Sequence, residues 1–154
     1  MDAKLMLDET ELHKNRDKFL EQANAYNKMR RAQFDLEREH FNEYCEPLDM
    51  AGYPHPSALR LIENWHHEYK VDWFDFIHNM WYAVDWGWKS KVVPHRFREG
   101  KSVIKFEVST AGWSGNESII KAMQKNEMLW WMVHYQTTRG GHYIFELEIE
   151  DVSR

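Results

Sequence analysis

One cysteine, four prolines, seven glycines and no net positive charge bound what this 154-residue chain can be. Cys45 has no partner for an intrachain disulfide, so the sequence makes no use of an oxidising compartment. Every apolar run is broken by Asp, His or Lys before it nears the ~18 residues of a membrane span, and no charged-then-apolar leader follows Met1. A cytoplasmic protein with no membrane partner is therefore expected. The formal charge is −5 and the isoelectric point near 6.0. That balance lacks the basic excess of a protein that coats nucleic acid regardless of sequence. Also missing are a P-loop, a dinucleotide fingerprint, the G-x-S-x-G elbow and any zinc-ligand spacing. His66-His67-Glu68 point about 100° apart on a helix and cannot share an ion; only Glu63 and His67 have the i, i+4 spacing for it. Neither a metal nor a cofactor is expected, and no catalytic residue is assigned.

What is present describes a globular chain of about one domain: 43% hydrophobic and 29% charged residues, outside the range of disordered proteins. Aromatics reach 15%, with eight Trp. Most must fill the core, and some are expected to face a partner or ligand.

Residues 1–50 read as a long charged helix or a helical hairpin. Asp8 and Glu11 have capping-box spacing, and no Pro or Gly interrupts the chain before Pro47. Leu5, Leu12, Phe19 and Tyr26 recur every seven residues, while Phe34, Phe41 and Leu48 form a second series offset by one. The stripe is thin, so a bend, a hairpin or a homo-oligomer through this helix is expected. Gly52-Tyr53-Pro54-His55-Pro56 forces an extended link.

Residues 57–154 read as a helix pair plus a β-α-β-β core. Ala58, Leu61, Ile62, Trp65 and Tyr69 share one helical face, and Trp73, Phe76, Ile77, Met80, Trp81 and Val84 share the next. Residues 89–101 are basic and loop-like, although a strand there would change the strand order. Ile104, Phe106 and Val108 alternate with Lys105, Glu107 and Ser109, which marks a strand. Ser114 and Glu117 have capping-box spacing for a helix ending near Asn126. Residues 128–137, apolar on both faces, predict a covered central strand. Gly140 and Gly141 supply a hairpin turn before a last strand bearing Tyr143, Phe145, Leu147 and Ile149 on one face. The fold class is α+β, a helical N-terminal region with a small C-terminal sheet.

If the strands at 102–109 and 128–137 run parallel, their carboxyl ends share one edge. That edge collects a candidate anion site. Trp113 would be a stacking plate, Gly115 would admit a ligand to a helix N-terminus, Ser114, Asn116 and His142 would donate hydrogen bonds, and Arg139 beside Gly140 would supply a fork. A nucleotide or a short nucleic-acid element has the matching chemistry. The competing expectation is structural: Ser114 and Glu117 cap, the glycines turn and Trp113 plugs the core. A catalytic alternative would pair His134 or His142 with Glu107 or Glu146 in a small nucleotide- or nucleic-acid-processing enzyme.

The stretch Val108-Ser-Thr-Ala-Gly-Trp-Ser-Gly-Asn-Glu117, with Trp130-Trp131 and Thr138-Arg-Gly-Gly-His-Tyr-Ile-Phe-Glu146, resembles small proteins of tailed phages and prophages. The likeness covers the last third of the chain. That family has no assigned activity, so nothing catalytic carries over. The resemblance implies an accessory protein of an infected bacterium, acting against host defence or metabolism by binding a host protein or sequestering a nucleotide-like anion. A structural, oligomerising phage protein is the remaining alternative.

Overall fold

The computed structural model describes residues 9–149 and falls into two compact units, residues 1–36 and 37–154. The expected cap at Asp8 and the first stripe residue, Leu5, lie outside the described residues. Helix α1 (Glu9–Tyr44) is one uninterrupted α-helix of 36 residues, about 54 Å long, with no hairpin in it. Nothing between Glu9 and Tyr44 removes a backbone donor or favours a turn, so the ladder continues. Within the first unit Leu12, Phe19 and Tyr26 are exposed.

In the second unit the end of α1 is bound through side chains. Phe41 is buried and meets Phe76 edge-on at 5.5 Å, and Arg38 pairs with Asp72 at 3.2 Å while lying over Trp65. The link that follows is shaped by Asp49, whose Oδ1 accepts from the amides of Ala51 and Tyr53. Helix α2 (Pro56–Asn64) starts where Pro is tolerated, with the His55 ring accepting from the Ser57 amide. It ends five residues before Tyr69, the last residue of its apolar face, and Asn126 Nδ2 donates to the carbonyls of Ile62 and Trp65 and satisfies them outside the helix. Helix α3 (Lys70–Met80) buries Trp73, Phe74, Ile77 and Met80. It stops short of the expected Val84, since Ala83 adopts φ 63° and a short α4 (Val84–Gly87) begins there.

Four strands form one antiparallel sheet in the order β1-β2-β4-β3: β1 (Trp88–Pro94), β2 (Ser102–Ser109), β3 (His134–Thr138) and β4 (His142–Glu148). The chain is thus α+β. The basic stretch after Gly87 is strand as far as Pro94 and loop from there to Lys101: Trp88, Ser90 and Val92 stand opposite Val108, Phe106 and Ile104, with Trp88 half-buried and Ser90 and Val92 exposed, as are Lys89 and Lys91. Between β2 and β3 run two helices, α5 (Ser114–Lys125) and α6 (Glu127–Val133). The second replaces the first half of the expected long strand. Asn126 caps it by accepting from the Leu129 amide, and Leu129 and Val133, four apart, are both buried while Trp131 between them is exposed. Because β2 and β3 each pair antiparallel with β4, they run parallel to one another with β4 between.

Core packing centres on Phe74 of α3, stacked on Phe106 with ring centroids 4.4 Å apart and edge-on to Phe145 at 5.4 Å. Val108, Phe145 and Leu147 on the same sheet face are fully covered. The opposite face carries Lys89, Lys105, Glu107, Glu146 and His142 and is left to solvent and to the β1–β2 loop.

Candidate functional site

The carboxyl ends of β2 and β3 lie at one edge with the start of β4 between them, as the parallel arrangement requires. The Thr110 amide donates to the Gly141 carbonyl at 3.0 Å, joining the loop after β2 to the β3–β4 turn. Ala111 and Gly112 both have positive φ, 57° and 69°, and so do Gly140 and Gly141, at 95° and 81°. A Cβ on Gly141 would strike Thr110 Oγ1, so glycine there is required twice, by backbone and by space.

The start of α5 is filled by the protein itself. Trp113 stacks between Tyr53 and Tyr82, at 4.8 and 4.7 Å, so both faces of its indole are taken. A Cβ on Gly115 would lie 2.6 Å from Trp113 Nε1, so this glycine makes room for the indole rather than for a ligand. Asn116 is wholly buried. Its Oδ1 accepts from the Tyr82 amide at 3.0 Å, and its Nδ2 donates to the carbonyls of Tyr82 and Thr110 at 3.0 and 3.3 Å. Ser114 does not cap: Trp113 occupies the cap position without a side-chain bond, and the Ser114 hydroxyl reaches only Tyr53 Oη at 3.5 Å. Arg139, Gly140 and His142 remain exposed at the turn.

The open space lies one step away, on the outer face of the sheet. A groove of about 250 Å³ runs over Trp86, Lys89, Glu107, Ser109, Thr138 and His142. Strand register explains the grouping. Lys89 is opposite Glu107, and Ser109 and Thr138 are each opposite His142, so the side chains share a face and neighbour one another diagonally. Gly87, with Ser109 O only 3.1 Å from where its Cβ would be, lets Trp86 come up to this edge, where its ring is 59% exposed. Glu107 accepts from Lys105 Nζ at 3.1 Å; that hydrogen bond, followed by the charges of Lys105, Lys91 and Lys89, holds its carboxyl below the usual carboxylate range despite some burial. At neutral pH the groove therefore presents a fixed anion, the Lys89 ammonium, hydroxyl groups and an imidazole beside an aromatic plate.

The two faces separate the catalytic pairs considered from sequence. His134 lies on the inner face, stacked on Trp130 at 4.4 Å with Nε2 2.7 Å from Thr137 Oγ1, and burial lowers its pKa. Glu146 is tied to Arg96 at 3.0 Å. His142 and Glu107 are the pair that shares the groove. The basic stretch after β1 is spent within the molecule: Arg96 on Glu146 and the Tyr135 ring, Arg98 and His95 on Glu148 at 3.1 and 3.4 Å. Glu63 is paired with Lys125 at 3.5 Å, and α2 ends before His67, so the i, i+4 spacing is not helical. Among the described residues no three His, Cys, Asp or Glu side chains converge on a metal position, and no helix is long and apolar enough to cross a membrane.

Trp86, Lys89, Ser109 and Thr138 were not singled out by sequence reasoning. The one signal was Trp86-Gly87-Trp88-Lys89, an aromatic pair around a glycine, whose meaning depends on β1 being a strand. No family model, curated protein or solved structure matches the chain.

Proposed function

We propose that this protein is a binding protein, and that its outer-face groove takes a nucleotide-like anion. The carrying observation is the exposed Trp86 ring on the same open sheet edge as Lys89, Glu107 and His142. A base would stack on Trp86, Glu107 would accept from ribose hydroxyl or base amino donors, and Lys89 with Arg139 on the adjoining turn would receive phosphate. The likeness of residues 108–146 to phage accessory proteins supports a setting in which such binding sequesters a host nucleotide signal. Thermal shift against nucleoside phosphates, cyclic nucleotides, dinucleotides and inorganic phosphate tests the reading. A ligand at a hundredfold its Kd adds about 2.7 kcal/mol, a rise of about 5–10 °C at this size. That rise should vanish in Trp86→Ala and Lys89→Glu; no shift across the panel overturns the reading.

A second reading rests on α1, where Leu12, Phe19 and Tyr26 are exposed at heptad spacing, the face a host protein would grip. Capture of one discrete host protein by the wild type and its loss in Phe19→Asp would support it; equal capture by both would overturn it.

A further inference from the structure

The two borders of the sheet differ in a way that points to a partner. β1 is a guarded border: Lys89 and Lys91 stand on it and Pro94 ends it, devices that deter strand addition. β3, the other border, reads His134-Tyr135-Gln136-Thr137-Thr138 and carries no charged side chain, and residues 135–138 are all exposed. Its backbone donors and acceptors on the side away from β4 are open for pairing.

Beside this border lies the apolar surface of α6. Trp130 packs on His134, Tyr143 and Phe145, which sets α6 over the β3–β4 margin of the inner face. Trp131, about 100° further round the helix, is 84% exposed, and Met128, Met132 and Tyr135 are 57, 41 and 43% exposed. Met128, Trp131 and Met132 share one side of α6 at i, i+3 and i+4, and Tyr135 follows in β3, with the Arg96 guanidinium 3.9 Å from its ring centroid.

We infer that β3 is a dimerisation edge, at which a second copy of this chain adds its own β3 antiparallel to form a continuous eight-stranded sheet. Two arguments select a second copy over an unrelated strand. A two-fold axis places each side chain near its own symmetry mate, so an uncompensated charge near the axis repels itself; β3 bears none of its own and the Arg96 guanidinium over Tyr135 is paired with Glu146, whereas β1 would set Lys89 and Lys91 against their copies. The exposed parts of Met128, Trp131, Met132 and Tyr135 come to about 500 Å² per copy, taking roughly 150–250 Å² for a whole large side chain. Two copies together bury about 1,000 Å², the lower bound of a specific interface, before the strand itself is counted.

Sedimentation equilibrium on the full chain over a micromolar concentration series tests this. The expected result is a monomer–dimer equilibrium that shifts to monomer in Trp131→Asp and in Gln136→Lys, both at exposed positions, with circular dichroism unchanged. Phe19→Asp on the first unit should leave the dimer intact. A wild type that stays monomeric overturns the inference. So does a dimer that survives both edge variants, or one that dissociates only in Phe19→Asp.

Discussion

Removing the Asn116 side chain should cost this protein more than any single exposed substitution, because one amide holds two distant segments together. Its three hydrogen bonds, at 3.0, 3.0 and 3.3 Å, join the turn at Tyr82 to the loop at Thr110 from a position with no solvent exposure. A net contribution of about 1 kcal/mol per bond, plus a carbonyl left without a donor, gives about 3–4 kcal/mol for Asn116→Ala. At this chain length that is a fall of about 8–12 °C in Tm, read by circular dichroism. Asn116→Asp sharpens the test. The carboxylate keeps the acceptor for the Tyr82 amide but sets negative charge against two carbonyl oxygens and has no proton to donate. It should be at least as damaging as Ala at neutral pH, then recover on acidification as the buried carboxyl takes a proton and becomes a donor. A loss below about 2 °C in Asn116→Ala, given these bonds, would mean that water replaces the amide, and the clamp reasoning would fail.

Acidification bears on the wild type through His67 and His134, both lowered from the ordinary histidine value, in each case chiefly by burial. The unfolded chain takes these protons first, near pH 6.5, so stability is full above that value and declines as pH falls below it toward the folded-state values. Tm measured from about pH 7.5 to about pH 5.5 should fall less steeply in His134→Gln; identical slopes would refute the assignment. Gly141→Ala places a side chain at φ 81° and against Thr110 Oγ1. The backbone part alone should cost about 1–2 kcal/mol, and combining it with Thr110→Ala should recover the crowding part in a double-mutant cycle, whereas strict additivity would show that no crowding exists.

Local patterning made most elements legible. The spacing of Ala58, Leu61 and Ile62, the period of Trp73, Ile77 and Met80, and the alternation from Ile104 to Ser109 each show one face that must be covered. Patterning failed where it was saturated. Residues 128–133 are apolar at every position, so helix and strand look alike, and only Asn126 ahead of them signals a cap. In β1 Ser90 and Val92 are exposed along with Lys89 and Lys91, so the strand has no covered face for an alternation to mark. At the site the adjacency of the 110–116 loop and the 138–142 turn followed from connectivity, but the filling of α5's start did not. Ser114 and Glu117 have the right spacing for a capping box, yet Tyr53 and Tyr82, remote in sequence, hold Trp113 where the cap would be. Trp86 and Lys89 reach the groove only through a strand whose partner lies across a loop, a relation no local window contains.

The strand order β1-β2-β4-β3 also governs how the chain assembles itself. Two ribbons, 88–109 and 134–148, close over short loops and can form quickly and separately. Neither ribbon is a sheet until β4 zips onto β2, the seam whose pairs stand farthest apart in sequence. Until that pairing each ribbon displays a second bare margin, open to mispairing with another chain.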